Sequence, residues 1–541
     1  MCGRRRLRPW YNENSRSTSG TALRVRDASP ISGMCPLCIR ECNVLCEISK
    51  SAFRGREVLY PSPEMFGRST AASNKDYLLN WCDLQIQVEV LGAKGIEADP
   101  DHATFPNVNI STTAGGVALK LPVMLAGMGS TDVATRHWES LAAGAAISGT
   151  IQTVGENVCG MDAEATYNGK GRVTESPNLR WRIDSYRKFW DGKHGDIVVQ
   201  TNVEDQRTAV DLYALKSLGV NIIERKWGQG AKAIGGEVRV DNLEKALMLR
   251  ERGYIVLPDP TDPAVQEAFK QGIFSTFERH SRVGFPQEKG FIEDIAWLRE
   301  QGAKKVFLKT GAYNAAAVAF TLKCASQAKI DLLTFDGAGG GTGMSPVPMM
   351  NECSTPTLYL FAQVMDGLRI LKEKGKYIPD IAFAGGFVNE TQIFKAIAMS
   401  NFNGGPFVKC IAVGRSPLTA VMKSDYFIQL HRDGKLPKSF TDMYGTEPDH
   451  FFMASTELRE KYGDVVGNGD GIPWPAVGLY TYLVDRVGVG LQQLMAGCRK
   501  WNLGLLDRSD LVALTERAAK VTGLPLPEEA GRDAFERILD F

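Results

Sequence analysis

Three lysines in this chain stand where a cation is chemically useful. Lys309 directly follows the apolar run Val306-Phe307-Leu308, and Lys226 follows Ile222-Ile223 two residues further on, with Lys232 shortly after it. A lysine is usually a solvated surface charge. One that caps a buried strand can grip a carboxylate or stabilise an anionic ring. Glu156 and Gln229 occupy comparable positions and can donate or accept beside these cations. The second chemical signal is glycine. "AGMGST" (Ala126–Thr131), "TVGENVCG" (Thr153–Gly160), "RKWGQGAK" (Arg225–Lys232), "LKTG" (Leu308–Gly311), "FDGAGGGTGMSP" (Phe335–Pro346), "AGGF" (Ala384–Phe387) and "VGRSP" (Val413–Pro417) each end an apolar run. Glycine lets backbone approach a ligand closely and leaves N–H groups free to face phosphate oxygens. The Gly-Gly of "AGGF" and the Gly-Arg-Ser of "VGRSP", on consecutive runs, read as a phosphate grip completed by a helix N-terminus. Tight turns alone would explain one such cluster. "FDGAGGGTGMSP" lacks the Gly-Lys-Ser/Thr of a P-loop and the acidic partner of a dinucleotide fingerprint. Its glycines Gly339, Gly340 and Gly341, with Asp336, Thr342 and Ser345, read as a loop over a flat polar ligand.

The elements that must position these residues alternate. Short apolar runs at Pro122–Gly127, Ala145–Thr150, Asp196–Asn202, Asn221–Trp227, Gly253–Asp259, Lys305–Thr310, Ile330–Gly337, Pro379–Gly385 and Lys409–Gly414 are separated by Ala- and Leu-rich helical stretches. That pattern predicts parallel βαβ units in a sheet covered by helices. Nine runs exceed an eight-fold barrel by one, and Gly253–Asp259 falls in a charged, Pro-rich stretch expected to be an insertion. The fold class is therefore α/β, a (β/α)8 TIM barrel with an N-terminal Cys-rich segment and a helical C-terminal extension. The division is 1–33 as a tail, 34–115 as Cys-rich segment and lead-in, 116–425 as barrel (insertion about 237–301) and 426–541 as mainly helical extension. Leu491–Lys520 carries helical periodicity.

Lys+Arg total 63 against 62 acids, so the balance gives no reason to expect nucleic acid as a partner. No run of about 18 apolar residues suggests a membrane span. The first 27 residues hold seven Arg and two acids without an apolar stretch, unlike a secretory signal. A cytoplasmic location is expected. Met1-Cys2-Gly3 looks like the start of an N-terminal-Cys amidotransferase, but the Arg-rich sequence that follows leaves no room for a glutaminase domain. Four of the 11 cysteines, Cys35, Cys38, Cys42 and Cys46, fall in "CPLCIRECNVLC". Such a run ligates an iron–sulfur cluster, binds zinc, or is a helix that happens to stack thiols; its compactness favours Fe–S of the 4Fe-4S type over the split pairs of structural zinc.

"KWGQGAK…GG", "FDGAGGGTGMSP", "AGGF" and "VGRSP", in this order, resemble the FMN-binding (synthase) domain of glutamate synthase over roughly residues 80–425. The resemblance implies a β/α barrel whose FMN reduces 2-iminoglutarate, formed from 2-oxoglutarate and ammonia, to L-glutamate. It implies roles residue by residue. Lys226, Gln229 and Lys232 would grip the carboxylates of a 2-oxoglutarate-like acid, Glu156 would stand near the substrate, and Lys309 would lie beside the flavin ring. Gly385, Gly386, Gly414 and Arg415 would hold the flavin phosphate. Met128, Gly129 and Ser130 would face the flavin, and Arg172 is similar to a flavin-contacting arginine. Some features depart from the family. Its Cys-rich motif after the last barrel strands is missing, "GHDGG" becomes "FDGAGGG", and glutaminase and β-helix regions are not recognisable. Nitrogen is then expected from free ammonia or a separate glutaminase subunit, and electrons from the Cys cluster, ferredoxin or an electron-donor subunit. Two other readings stay open. One is a barrel dehydrogenase of inosine-monophosphate-dehydrogenase type using Cys353 in "MNECST". The other is a non-catalytic flavin or electron-transfer subunit of a larger complex.

Overall fold

The computed structural model describes residues 52–53, 77–230, 234, 237–340 and 345–541. The tail and the cysteines Cys35, Cys38, Cys42 and Cys46 lie outside the described residues, as do Lys232, Gly341 and Thr342.

Eight parallel strands close into a barrel in chain order: β1 (Val123–Met128), β2 (Gln152–Val154), β3 (Ile197–Thr201), β4 (Ile222–Lys226), β5 (Lys305–Thr310), β6 (Leu332–Asp336), β7 (Asp380–Ala384) and β8 (Val408–Val413). β8 pairs with β1 and β4 with β5, so no barrel edge is left open. β3 is buried at every residue, as expected of a strand covered on both faces. Side chains alternate between faces along a strand. Met124, Val198, Ile222, Phe307, Leu332, Ala382 and Cys410 point inward and pack with Ile151. A hairpin of Thr112–Ala114 and Val117–Leu119 plugs the N-terminal end by adding Ala114, Val117 and Leu119 to that core. The Gly115 N–H at its tip binds Asp380 Oδ2 at 2.9 Å. The opposite end, where the glycine loops emerge, stays open for chemistry.

The run Gly253–Asp259 contributes the strand Ile255–Leu257, which lies outside the barrel in an antiparallel sheet with Glu237–Val240 and Phe277–His280. This insertion has its own core around Tyr254, Val256 and Phe277, whereas the following helix Glu288–Glu300 packs Phe291, Ile295 and Leu298 into the main core. Two sequence expectations are corrected. Ala145–Thr150 does not form the second strand: the helix Trp138–Ile147 runs through its first half and the strand begins at Gln152. Alanine-rich sequence favours helix, and here the helix is also packed tightly, since a Cβ on Gly144 would stand 2.7 Å from Leu479. Leu491–Lys520 is not one helical stretch. Helix Val489–Gly497 gives way to turns and to the strand Leu511–Ala513, which pairs with Leu84–Ile86 far back in the lead-in. No helix among the described residues is long and apolar enough to cross a membrane.

Candidate active site

Strand parity decides what the open end of the barrel contains. Residues two and four beyond the inward apolar layer share its face. On the β3–β6 side these are Gln200, Glu224, Lys226, Lys309, Thr334 and Asp336; on β7, β8 and β1 they are Ala384, Ala412 and Ala126, and a register irregularity after Leu125 turns Met128 toward the outer core. The mouth thus has a charged half and a small, apolar half. Lys309 is 6% exposed, and its Nζ lies 3.3 Å from Asp336 Oδ2. Glu224, 1% exposed, accepts a 2.5 Å hydrogen bond from Gln200 Nε2. Lys226 Nζ donates to Glu156 Oε1 at 2.5 Å and to Gln229 Oε1 at 3.0 Å. Burial works against the Lys309 ammonium, but Asp336, Glu224 and Glu156 hold its pKa above the usual lysine range. Burial pushes Glu224 up, opposed by the charges of Lys309 and Lys226. Thr153 Oγ1, Gln200 Oε1 and Thr334 Oγ1 are buried without a hydrogen-bond partner among the described residues.

The loops above this floor are built by backbone contact. Gly385 has φ +107°, and a Cβ there would stand 2.5 Å from the Gly337 carbonyl oxygen. A Cβ on Gly230 would stand 2.0 Å from the same oxygen. Gly337, Gly339 and Gly385 therefore join the loops after β4, β6 and β7 into one rim. The neighbouring Gly386 is only half-buried, and Gly414 caps the 18-residue helix Arg415–Arg432, whose first N–H groups make an anion-binding end.

The fold brings together Glu156, Lys226, Gln229 and Lys309 at the charged half. It sets Met128, Gly129 and Ser130 at the end of β1, Gly339 and Gly340 after β6, Gly385 and Gly386 after β7, and Gly414 with Arg415 after β8. Arg172 sits exposed on the hairpin of Thr166–Tyr167 and Val173–Glu175, and its side chain joins none of the pairs above. Cys353 is exposed just after the helix Val347–Glu352, with Sγ 3.8 Å from Met349 Sδ. Sequence reasoning missed four residues. Glu224 and Gln200 line the barrel interior; the signal was available, because Glu224 precedes Lys226 by two and shares its face. Buried Arg182 donates to the carbonyls of Met128 (3.2 Å) and Gly129 (2.9 Å), bracing the end of β1. Asp205 ties two loops together and had no sequence signal. Beside Lys226 a cavity of about 840 Å³ opens between the loop 282–287 and the helices at Phe291 and Phe320, with Glu156 and Gln229 in its lining.

Comparison with known proteins agrees with the motifs. A family model described as a conserved region in glutamate synthase matches residues 283–409. An archaeal glutamate synthase [NADPH] from Archaeoglobus fulgidus is 25% identical over 303 residues, 54% of this chain and 46% of its own length, so the match spans less than half of that relative. A glutamate synthase large subunit-like protein from Rhizobium meliloti is 23% identical over 424 residues, 76% of this chain and 78% of its own. Among solved structures, a flavocytochrome b2 variant with sulfite bound aligns at 11% identity over 85% of this chain and 82% of its own, with a TM-score of 0.43. Residues 283–409 are thus similar to the conserved region of glutamate synthase, the family that the strand-end motifs resemble.

Proposed function

We propose that the chain is an FMN-dependent oxidoreductase of the glutamate synthase type, which reduces 2-iminoglutarate, formed from 2-oxoglutarate and ammonia, to L-glutamate. The observation that carries this reading is the divided barrel mouth: cations and carboxylates on β4–β6 facing alanines on β7, β8 and β1. The site fits the cofactor. Ala126, Ala384 and Ala412 leave room for a flat ring, and Thr153, Gln200 and Thr334 offer it unpaired polar atoms. Gly386 and the N-terminus of helix Arg415–Arg432 would take the phosphate. When bound, FMN supplies the electron pair for the imine carbon.

The side chains do the rest. Lys309 keeps a fixed positive charge in a water-poor pocket, where charge is worth most. Lys226 and Gln229 bind a substrate carboxylate, with Lys232 carried from the motif as a further cation. Glu156, hydrogen-bonded to Lys226, would hold or deliver a proton at the substrate nitrogen. Electrons are assigned to ferredoxin, a donor subunit or an Fe–S cluster on Cys35, Cys38, Cys42 and Cys46, and nitrogen to free ammonia or a separate glutaminase subunit. The test is to purify the protein anaerobically, weigh the released cofactor, count iron and sulfide, and supply 2-oxoglutarate, ammonia and a low-potential donor. The mass of FMN and formation of glutamate are expected. A flavin-free protein would overturn the assignment, and absence of iron would remove the cluster from it.

A further inference from the structure

Asp205 belongs to no step of the reaction above, yet it is 1% exposed and carries three backbone hydrogen bonds. It stands in the short helix Val203–Arg207 that follows β3. Both carboxylate oxygens accept from the Asn157 N–H, at 3.2 and 3.0 Å, and Oδ2 also accepts from the Asn202 N–H at 3.2 Å. One buried carboxylate therefore ties the loop leaving β2 to the loop leaving β3. Asn157 sits at φ +66°, a left-handed conformation that is uncommon for residues with a Cβ and that asparagine adopts more readily than most. The residue immediately before it is Glu156, whose carboxylate meets Lys226.

We infer that Asp205 is a positioning residue that anchors the Glu156–Asn157 turn and so fixes where the Glu156 carboxylate is presented. The inference rests on the role proposed above for Glu156. Without the anchor, the turn relaxes its left-handed residue and Glu156 loses its fixed direction toward Lys226. Substrate would still find its carboxylate contacts, so the loss falls on turnover rather than on binding.

The surroundings make the anchor sensitive to pH. Burial pushes the Asp205 carboxyl up to about 7 against the Asn157 and Asn202 N–H groups, with Glu156 raising it further and buried Arg279 of the insertion lowering it. Cys159, Tyr167 and Tyr254 also face it, and burial holds each of them in its neutral form. An ionised carboxylate accepts with both oxygens, whereas a protonated one turns an oxygen into a donor with only N–H groups to meet. The turn is thus held most firmly above about pH 7.

Hydrogen exchange on the intact protein tests this without reference to the reaction. In D205N, which keeps the shape of the side chain, exchange at the Asn157 amide at pH 8 is expected to quicken about tenfold, the effect of losing one typical hydrogen bond. Glutamate formation should slow by a similar factor while KM for 2-oxoglutarate stays within about twofold. N157G keeps both the N–H and the conformation and should remain protected. A pH series on the unmodified protein needs no variant: protection at Asn157, corrected for intrinsic rates, should rise between pH 6 and 8. Equal exchange in D205N and the unmodified chain, or a flat pH series, overturns the inference. Faster exchange with unchanged turnover also overturns it, because the anchor would then not reach Glu156. Faster exchange in D205N, in a protein that makes no glutamate even unmodified, supports the anchor and rejects the reaction instead.

Discussion

The Lys226 ammonium donates to the Glu156 carboxylate at 2.5 Å, joining the ends of two barrel strands that are 70 residues apart in sequence. The pair lines the cavity beside the barrel mouth, and its two members are expected to fail differently. On the proposed reading, replacing Lys226 with Ala removes a carboxylate grip. KM for 2-oxoglutarate should rise on the order of tenfold to a hundredfold, since a charge-assisted hydrogen bond is worth about 1.5–3 kcal/mol. Glu156→Gln should leave KM nearly unchanged and lower kcat by about 10²-fold or more, as loss of a general acid does. Steady-state kinetics checks both, and a shared KM defect would contradict the division of roles.

Lys309 is predicted to control flavin retention. In Lys309→Met, released flavin should increase on gel filtration and the rate of flavin reduction should drop about tenfold or more, because the buried cation that the proposed function sets beside the ring is lost. Unchanged spectra and rates would refute the assignment.

The same lysine gives a pH prediction with a definite sign. Burial opposes its charge, but Asp336, Glu224 and Glu156 raise its folded value above the ordinary 10.5. Its stabilising contribution is therefore complete below pH 10.5 and is lost as pH climbs through the higher folded value. Melting temperature should fall more steeply above that pH in the unmodified protein than in Lys309→Met. Parallel melting curves across that range would count against the buried ion pair.

Gly385 is predicted to be structural before it is cofactor-binding. Gly385→Ala places a methyl 2.5 Å from the Gly337 carbonyl and forces φ +107° on a residue with a Cβ. A loss of about 2–4 kcal/mol is expected from backbone strain and overpacking together. Gly414→Ala, where a Cβ would meet nothing within 4 Å, should cost under about 1 kcal/mol. Chemical denaturation of the two variants compares them directly.

Phe307 reports on the plugged end of the barrel. Its ring lies 2.5 Å from where a Cβ on Gly115 would be, and it is fully buried. Phe307→Ala should destabilise the protein by about 3–5 kcal/mol through the cavity it leaves, measured by denaturation. Because the site is at the other end, the flavin spectrum should change little.

Much of the barrel was legible because a strand buried on both faces must be apolar almost throughout, as in Val306-Phe307-Leu308 and Ile222-Ile223. The second strand was misplaced because Ala145–Thr150 satisfies both a short apolar run and the end of a helix; only packing against Leu479 separates them. The pairing of Leu511–Ala513 with Leu84–Ile86 was illegible for a related reason. A strand whose partner is more than 400 residues away in sequence leaves no local periodicity to read.

Within the site, local spacing set which residues could be chemical: Lys226, Gln229 and Lys309 at strand ends, Glu156 after a glycine, and glycine pairs where backbone must come close. The two-residue period of a strand also fixed that Glu224 and Lys226 share a face. Tertiary structure decided the rest. Closure of the barrel puts Glu156 against Lys226, and Asp336 and Glu224 around Lys309, since these contacts cross strands. It also divided the glycines into those that let loops touch, such as Gly385 against Gly337, and those with open space around them, such as Gly414. The sequence determines which groups are present and on which face of each strand they stand. The distances between them, and the low-dielectric surroundings that set their charge, exist only once eight strands have closed around them.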